Sequence, residues 1–417
     1  MSFIKNGIRA FCIYLAVLLL LLLQACASSA DVNTEFPVVQ DEFSAYVDDA
    51  RTHIKRFTMA QRDREDGVYN LPFEISANPA AVYRGRFLLI HGLNDSPYSW
   101  RDLGASLADM GFDVRAILLP GHGTTPEALL QVHYSQWLNS ARQHIDVWQK
   151  TTSQNGLSQQ DSPIYLGGFS LGGVLATILA LENDDIAGLL LVSPAWHSKL
   201  NRLLRWSGIY KLYKPWVFGG MILEDNPAKY NSIPVNSAAQ YYNTTRYLKK
   251  RWQRHRLSIP VLVLASADDS VIDVSYMRSL YRKRFDGESR AMVIFSNDTS
   301  LTLAETEVRR PSARLDLRII NQSHMSLINS PDNELYGRSR KILVCNGNVP
   351  EIFFGCLRSP VHWYGAQHSV SPDDVAVART TYNPDYEYVL QMIEQVFITG
   401  SGIKAEEPVI ENSFFIK

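Results

Sequence analysis

The sequence has no excess of charge of either sign and no basic run. Its 417 residues include 41 Lys and Arg against 42 Asp and Glu, a formal net charge of -1. This balance offers no electrostatic case for binding nucleic acid. Internal repeats and low-complexity tracts are also absent. With 46% hydrophobic and 20% charged residues the composition is that of an ordinary globular protein, and we expect one main domain with insertions.

Cysteine is scarce, with four residues in the whole chain. Cys12 lies in the N-terminal apolar segment and Cys26 follows that segment, which leaves Cys345 and Cys356 in a stretch rich in Gly, Asn and Pro. In an exported protein such a pair most simply forms a disulfide, and we predict one here. A zinc site is a poor alternative, because the nearest histidine, His362, has no second partner at ligand spacing.

The N-terminal apolar segment is too short to be read simply as a membrane-spanning helix. Phe11–Leu23 has about 13 residues, whereas a spanning helix needs roughly 20. Lys5 and Arg9 supply positive charge before it. Residues 1–25 therefore have the pattern of an export signal.

The end of this segment, Leu23-Gln24-Ala25-Cys26, resembles a bacterial lipobox, with Gln24 a looser fit than the usual small or aliphatic residue. The resemblance implies that the mature protein begins at Cys26 and that lipid on this cysteine holds it to a membrane. Ala27 at the next position implies the outer membrane of a bacterial cell envelope. The alternatives are ordinary secretion with Cys26 incidental, or a retained signal anchor.

From residue 85 onward, short apolar runs alternate with helical patterns, which is typical of βαβ units. We predict an α/β fold with a mostly parallel central sheet flanked by helices. The predicted strands are Phe87–Ile90, Phe112–Leu119, Ile164–Leu166, Ile186–Val192, Val261–Ala265 and Leu315–Ile320. The predicted helices are Ser99–Met110, Tyr134–Lys150, Leu171–Leu181, Ser275–Phe285 and Tyr386–Phe397.

Two stretches interrupt this alternation. Residues 194–256 lack a buried-strand run but are rich in Trp, Tyr, Leu and Lys, which favours an inserted helical lid. Residues 329–374 hold the cysteine pair and are predicted to form a surface excursion. The remaining segments are a signal (1–25), a tether and helix (26–84), two parts of the core (85–193 and 257–328), and a C-terminal helix and tail (375–417).

The sharpest chemical signal is the glycine-flanked serine of Gly168-Phe169-Ser170-Leu171-Gly172. The motif directly follows the predicted strand Ile164–Leu166 and directly precedes a predicted helix. A serine there must occupy a tight, strained turn, which glycines on either side permit, and its hydroxyl projects above the sheet. The dipole and free N–H groups at the helix start suit an oxyanion. Ser170 is therefore the candidate nucleophile.

A serine nucleophile needs a base that is itself oriented by an acid. The predicted strand Val261–Ala265 runs into Asp268 and Asp269, so the residues alone leave two candidate acids. The strand predicted at Leu315–Ile320 runs into His324, which is thereby placed as the candidate base. Of the other histidines, only His122 and His133 merit comparison with it.

The oxyanion of an acyl-transfer intermediate also needs hydrogen-bond donors. The strand Phe87–Ile90 leads into His91-Gly92 and then Leu93. The histidine–glycine pair either opens a loop that supplies one such donor or forms only a strand-ending turn. Pro120-Gly121-His122-Gly123 follows the next strand and is expected to shape the pocket wall.

Together these regions resemble the monoglyceride-lipase and carboxylesterase branch of the α/β-hydrolase superfamily, over about residues 85–330. The resembling regions are Leu88 to Glu127, the Ser170 turn, the Asp269 loop and the His324 loop, with Asp225 to Tyr242 similar to the late part of that branch's lid. The chain departs from the pattern in a long spacer after Ala291–Phe295 and in the excursion after His324. These departures leave the outer pocket, and hence the substrate, undetermined.

The resemblance implies a catalytic triad in the chain order Ser170, Asp269 and His324. Asp269 is favoured over Asp268 because the branch has an acid followed one residue later by two aliphatic residues, here Val271 and Ile272. It also implies that the backbone N–H groups of Leu93 and Leu171 receive the oxyanion.

The expected activity is hydrolysis of a carboxylic ester, acylglycerol or other lipid-like substrate, without a metal or organic cofactor. The same residues could serve a thioesterase, an amidase or peptidase, or a cofactor-free perhydrolase, because a fold does not decide its reaction. Haloalkane dehalogenation is disfavoured, since it requires Asp at position 170. A hydrolase-fold envelope lipoprotein without turnover is the alternative from a different functional class.

Overall fold

The computed structural model describes residues 36–401 apart from 58–65, 155, 157, 159, 218, 254, 346–349 and 374. The described residues belong to a compact unit that begins at Phe36. The predicted export signal, Cys26 and the tail from residue 402 lie outside them. Within the described part, no helix has both the length and the apolar character needed to cross a membrane.

The main sheet contains eight strands: β1 (Phe73–Ile75), β2 (Gly85–Ile90), β3 (Phe112–Ile117), β4 (Ile164–Phe169), β5 (Ile186–Val192), β6 (Val261–Ser266), β7 (Arg290–Phe295) and β8 (Glu307–Arg310). Their order is β1-β3-β2-β4-β5-β6-β7-β8. β1 pairs antiparallel with β3, and the other neighbouring pairs are parallel. Every residue of β6 is buried, as expected for a parallel strand covered on both faces. The predicted mostly parallel sheet is confirmed.

Helices flank this sheet, and five of them lie close to the predicted positions. The helices are α1 (Phe43–Phe57), α2 (Arg101–Asp109), α3 (Tyr134–Gln154), α4 (Leu171–Glu182), α5 (Asn201–Leu204), α6 (Ser207–Tyr210), α7 (Val235–Trp252), α8 (Val274–Arg284), α9 (Pro350–Arg358) and α10 (Tyr386–Glu394). One apolar core packs α3, α4, α7 and α8 against the sheet, and a second packs α2 and α10. Side chains of β2 alternate between them: Leu88 and Ile90 belong to the first core, Phe87 and Leu89 to the second.

The strand predicted at Leu315–Ile320 is wrong. Leu315–Leu317 form a single 3₁₀ turn, and Arg318 adopts a left-handed conformation with φ 56° that ends any extended run. The sheet instead ends at β8, whose sequence is not apolar. Its Glu307 is buried because Arg278 and Arg282 of α8 each lie 2.6 Å from the carboxylate. In this sheet β1, β7 and β8 were not among the predicted strands.

The insertion between β5 and β6 contains α5, α6 and α7. Its late part is tied to the body: Tyr230 donates its N–H to the Asn94 carbonyl, and Asn70 donates its side-chain amide to the Pro227 carbonyl. The early part, between residues 200 and 223, exposes many large apolar side chains to solvent. One end of the insertion is therefore anchored while the other presents an apolar surface.

The excursion after His324 has structure of its own. It includes α9 and a strand, β9 (Trp363–Gly365), that pairs in parallel with β10 (Val377–Arg379) in a separate two-stranded sheet. Cys345 and Cys356 are joined in a disulfide, with their Cα atoms 5.8 Å apart. The predicted C-terminal helix is α10, which continues as a π-helical turn over Gln395–Thr399.

Candidate active site

Ser170 occupies the turn between β4 and α4, in a conformation that few residues adopt (φ 55°, ψ -113°). Close approach of neighbouring backbone explains the glycines: a Cβ at Gly168 would meet the Gly172 carbonyl, and one at Gly172 would meet the Ile90 carbonyl. The turn is held on the sheet by hydrogen bonds from Ser170 N–H to the Val192 carbonyl and from Ala195 N–H to the Ser170 carbonyl, each 3.0 Å. Such strain persists only where surroundings enforce it.

Ser170, His324 and Asp269 form an unbroken chain of hydrogen bonds. The His324 Nε2 atom lies 2.9 Å from Ser170 Oγ, and its Nδ1 atom lies 2.6 Å from Asp269 Oδ2. Asp269 is completely buried, and its other oxygen accepts the N–H groups of Val271 (2.7 Å) and Ile272 (3.1 Å). A carboxylate held in this way keeps the proton on Nδ1, so Nε2 is free to accept the serine proton.

Asp268 takes no part in this chain of hydrogen bonds. Its Oδ2 atom lies 3.5 Å from Ser312 Oγ, and burial raises the pKa of its carboxyl group above the usual value. The structure therefore brings Asp269, and not Asp268, against His324. His133, the other histidine considered as a base, also takes no part in this chain. Its Nδ1 atom lies 2.8 Å from Ser135 Oγ on the protein surface.

The loop after β2 passes directly over the serine. A Cβ placed on Gly92 would lie 3.2 Å from Ser170 Cβ. Leu93 follows Gly92 in this loop, while Leu171 is the first residue of α4, where N–H groups have no acceptor within the helix. Both predicted donors are thus on segments that adjoin Ser170.

A buried carboxylate and a lysine organise this loop. Asp95, which is almost wholly buried, accepts the N–H of Gly92 at 3.3 Å and the hydroxyl of Ser99 at 2.7 Å. Lys229, from the insertion, lies 2.9 Å from Asp95 and also over the ring of Phe169. This ion pair was not predictable from the sequence, because its partners are far apart in the chain.

Two buried histidines support the same loop as neutral side chains. The His91 Nε2 atom accepts the Leu119 N–H at 3.0 Å, and the His122 Nε2 atom accepts the Asn94 N–H at 3.2 Å. Burial lowers the pKa of His91 to about 4 and that of His122 well below its usual value. His122 therefore braces the loop beside Ser170 and has no contact with Ser170 itself among the described hydrogen bonds.

The excursion holds the His324 loop in the place where a regular strand was expected. Ile320 donates its N–H to the Tyr364 carbonyl at 2.7 Å, and Asn321 Oδ1 accepts the Ala366 N–H at 2.6 Å. Thr380, just beyond the excursion and directly after β10, also donates its hydroxyl to the Asn321 carbonyl at 2.7 Å. These contacts assign a positioning role to a segment for which the sequence suggested none.

The insertion also touches the acid loop. The Lys199 ammonium group donates a hydrogen bond to the backbone carbonyl oxygen of Asp269. The Tyr241 hydroxyl of α7 donates a hydrogen bond to the Ala195 carbonyl at 2.8 Å, and the Ala195 N–H in turn donates to the Ser170 carbonyl.

The described residues contain no cluster of three or more His, Cys, Asp or Glu side chains that could hold a metal ion.

Comparison with known proteins agrees with this architecture. A family model described as alpha/beta hydrolase fold matches residues 85–246. A thermostable monoacylglycerol lipase from Bacillus sp. (strain H-257) is 31% identical over 124 residues, which span 30% of this chain and 44% of the lipase. The match thus covers less than half of that relative.

Among solved structures, similarity extends to lipolytic enzymes at low identity. One structure from work on the metagenome-derived lipolytic enzymes LipS and LipT is 20% identical with a TM-score of 0.43, over 54% of this chain and 87% of the other. A soluble variant of monoglyceride lipase from Saccharomyces cerevisiae is 15% identical with a TM-score of 0.44, over 54% and 81% respectively. The family match and the strand order show that the chain has the α/β-hydrolase fold.

Proposed function

We propose that this protein is a serine hydrolase that cleaves carboxylic esters through an acyl-enzyme intermediate. The observation that carries the proposal is the hydrogen-bonded chain from Ser170 through His324 to the buried Asp269. A strained serine at a helix N-terminus, with an imidazole in contact and a carboxylate behind it, is the arrangement that acyl transfer requires.

The proposed reaction has two halves. In the first, Ser170 Oγ attacks the ester carbonyl carbon while His324 Nε2 takes the hydroxyl proton; the imidazolium then returns that proton to the leaving alcohol as the C–O bond breaks. In the second, a water molecule gives a proton to His324 and attacks the acyl-enzyme, and Ser170 regains its proton as the acid departs. Asp269 stabilises the imidazolium, and the N–H groups of Leu93 and Leu171 receive the oxyanion.

We infer that the ester is an acylglycerol or another lipid-like acyl ester. The similarity to a monoacylglycerol lipase supports this substrate class, as do the exposed apolar side chains on the insertion. The proposed mechanism calls on no cofactor or metal, since His324 accepts or donates the proton in every transfer.

The test is hydrolysis of p-nitrophenyl esters from acetyl to palmitoyl by the chain beginning at Ala27, beside its Ser170→Ala variant. The proposal expects turnover that Ser170→Ala abolishes, with an optimum at medium or long acyl chains. An optimum at acetyl would reject the lipid-like substrate while keeping the serine mechanism. A folded protein that hydrolyses no ester would reject ester hydrolysis itself.

We also propose that the protein is anchored to the bacterial outer membrane by lipid on Cys26. The support is the sequence Leu23-Gln24-Ala25-Cys26 and the apolar segment before it. Growth with radiolabelled palmitate should label the full chain but not its Cys26→Ala variant, and only the labelled form should sediment with outer membranes. Equal labelling of the two forms would refute the anchor.

A further inference from the structure

A cavity at the start of the insertion is lined by positive charge and has no assigned role. Its volume is about 610 Å³, and its lining includes Lys199, Arg202, Arg205 and Arg246 but a single carboxylate, Asp273. Four cations against one carboxylate leave a formal charge of +3 in one concave site. A concave site of one sign concentrates ions of the opposite sign.

The carboxylate that lines this cavity, Asp273, already has hydrogen-bond and ion-pair partners. Asp273 caps α8 by accepting the Tyr276 N–H at 3.0 Å, and its other oxygen lies 3.4 Å from His197 Nδ1. In the described part of the chain, Arg202, Arg205 and Arg246 make no ion pair with any acid. Three guanidinium groups that converge without a carboxylate partner suit a phosphate, which guanidinium binds with paired hydrogen bonds.

The sequence around the cavity shows which kind of phosphate fits. Residues 199–223 contain five Lys and Arg and no Asp or Glu. Apolar side chains alternate there with the cavity cations and point to solvent: Leu200 is 59% exposed, Leu203 68% and Trp206 56%. Further along, Leu212 and Tyr213 are 75% and 80% exposed. A free anion would leave these apolar side chains exposed to water. A basic segment with exposed Trp and Leu is instead typical of segments that bind the interface of an anionic bilayer.

We propose that this cavity binds the phosphate of an anionic phospholipid while the apolar side chains of residues 200–213 enter the bilayer interface. The cavity adjoins the proposed active site, because Lys199 both lines it and donates to the carbonyl oxygen of Asp269. Binding there holds the insertion and the Asp269 loop at the lipid surface. The site is independent of ester hydrolysis, since none of its side chains belongs to the proposed triad.

The test is sedimentation with vesicles of phosphatidylcholine alone or mixed with phosphatidylglycerol. The protein is the chain from Ala27, which keeps the compact unit beginning at Phe36 but lacks the proposed lipid anchor. It carries Ser170→Ala so that no lipid is consumed. The cavity variant Arg202→Gln/Arg246→Gln removes one cation from α5 and one from α7. The control Lys249→Gln/Lys250→Gln removes the same charge from exposed positions of α7 outside the cavity.

We expect binding to phosphatidylglycerol vesicles that the cavity variant weakens roughly 25-fold, at about fivefold per cation, while the control changes it less than about fivefold. Leu203→Ser/Trp206→Ser should weaken binding without altering the preference for phosphatidylglycerol. Equal losses in the cavity and control variants would overturn the site in favour of net charge alone. The lipid assignment would be overturned if the protein binds inorganic phosphate in calorimetry but sediments with neither kind of vesicle.

Discussion

Replacing Asp269 by Asn is the change whose effect the structure specifies most closely. The amide oxygen can still accept the N–H groups of Val271 and Ile272, so the loop keeps its hydrogen bonds. The amide nitrogen, however, would face His324 Nδ1 across the present 2.6 Å contact. Because an amide NH₂ is a donor, it favours the tautomer with the proton on Nε2, which points at Ser170 and can no longer accept the serine proton.

The expected loss is large. The equivalent change in a serine protease triad lowers turnover about 10⁴-fold, which corresponds to roughly 5.5 kcal/mol of activation free energy. The neighbouring Asp268→Asn is the matched control, since its carboxylate has one long contact, 3.5 Å to Ser312. Burial already raises the pKa of Asp268, so a neutral replacement costs little, and we expect turnover within about threefold of wild type.

The assay is steady-state hydrolysis of a p-nitrophenyl ester by both variants, with thermal unfolding to show that each is folded. Asp269→Asn should lower kcat with little change in KM, because the lost proton transfer belongs to the chemical steps. A larger loss in Asp268→Asn than in Asp269→Asn would refute the assignment. Turnover of Asp269→Asn within tenfold of wild type would refute the proposed role of the carboxylate.

Three further predictions follow from other parts of the fold. Asn321→Ala removes two hydrogen bonds from the excursion and should lower stability by roughly 2 kcal/mol and kcat several-fold. The control Asn333→Ala changes a buried asparagine away from the His324 loop and should lower stability alone. Equal losses of kcat in the two variants would contradict the positioning role. Cys345→Ser/Cys356→Ser should cost about 3 kcal/mol in denaturant unfolding, because the disulfide closes a short loop; an unchanged midpoint would contradict this. Since the pKa of His91 falls from 6.5 to about 4 on folding, the unfolded chain binds more protons between these values. Stability should therefore decrease as pH falls from 6.5 to 4, by about 3 kcal/mol from this group, and His91→Gln should flatten that slope in chemical denaturation; a flat wild-type profile would contradict it.

The turn around Ser170 was predictable because its determinants are local. The apolar strand, the flanking glycines and the helix all lie within a short stretch, and a Cβ at either glycine would collide with nearby backbone. The choice between Asp268 and Asp269 was different, since adjacent residues of the same type give the same local signal. The family resemblance favours Asp269 through Val271 and Ile272, and in the structure the two carboxylates are distinguished by the contact of Asp269 with His324, 55 positions away.

The end of the sheet could not be predicted from local patterns. Leu315, Leu317 and Ile319 alternate like a strand, but Arg318 turns left-handed and Leu315 is 62% exposed. The true edge strand contains Glu307, whose burial depends on two arginines of α8 that precede it by 25 residues or more. A charged residue can lie in a sheet only when such partners meet it, and that meeting is a property of the fold.

The supports of the candidate site were missed for the same reason. The sequence placed His91 at the start of the oxyanion loop and His122 in the pocket wall, but it did not show that each accepts a backbone N–H from a different loop. The excursion likewise has no motif, yet Ala366 and Ser369 within it both donate hydrogen bonds to the Asn321 side chain. Long-range hydrogen bonding, rather than composition, determines which of these segments bear on the reaction.

The most direct test of the central claim is covalent labelling by a fluorophosphonate probe, which reacts only with an activated serine. The wild-type chain from Ala27 should be labelled, and peptide mass spectrometry should locate the adduct on Ser170. Ser170→Ala and His324→Ala should remain unlabelled, whereas Asp268→Asn should label as wild type does. A folded wild-type protein that takes no label, or a Ser170→Ala variant labelled to the same extent, would contradict the account.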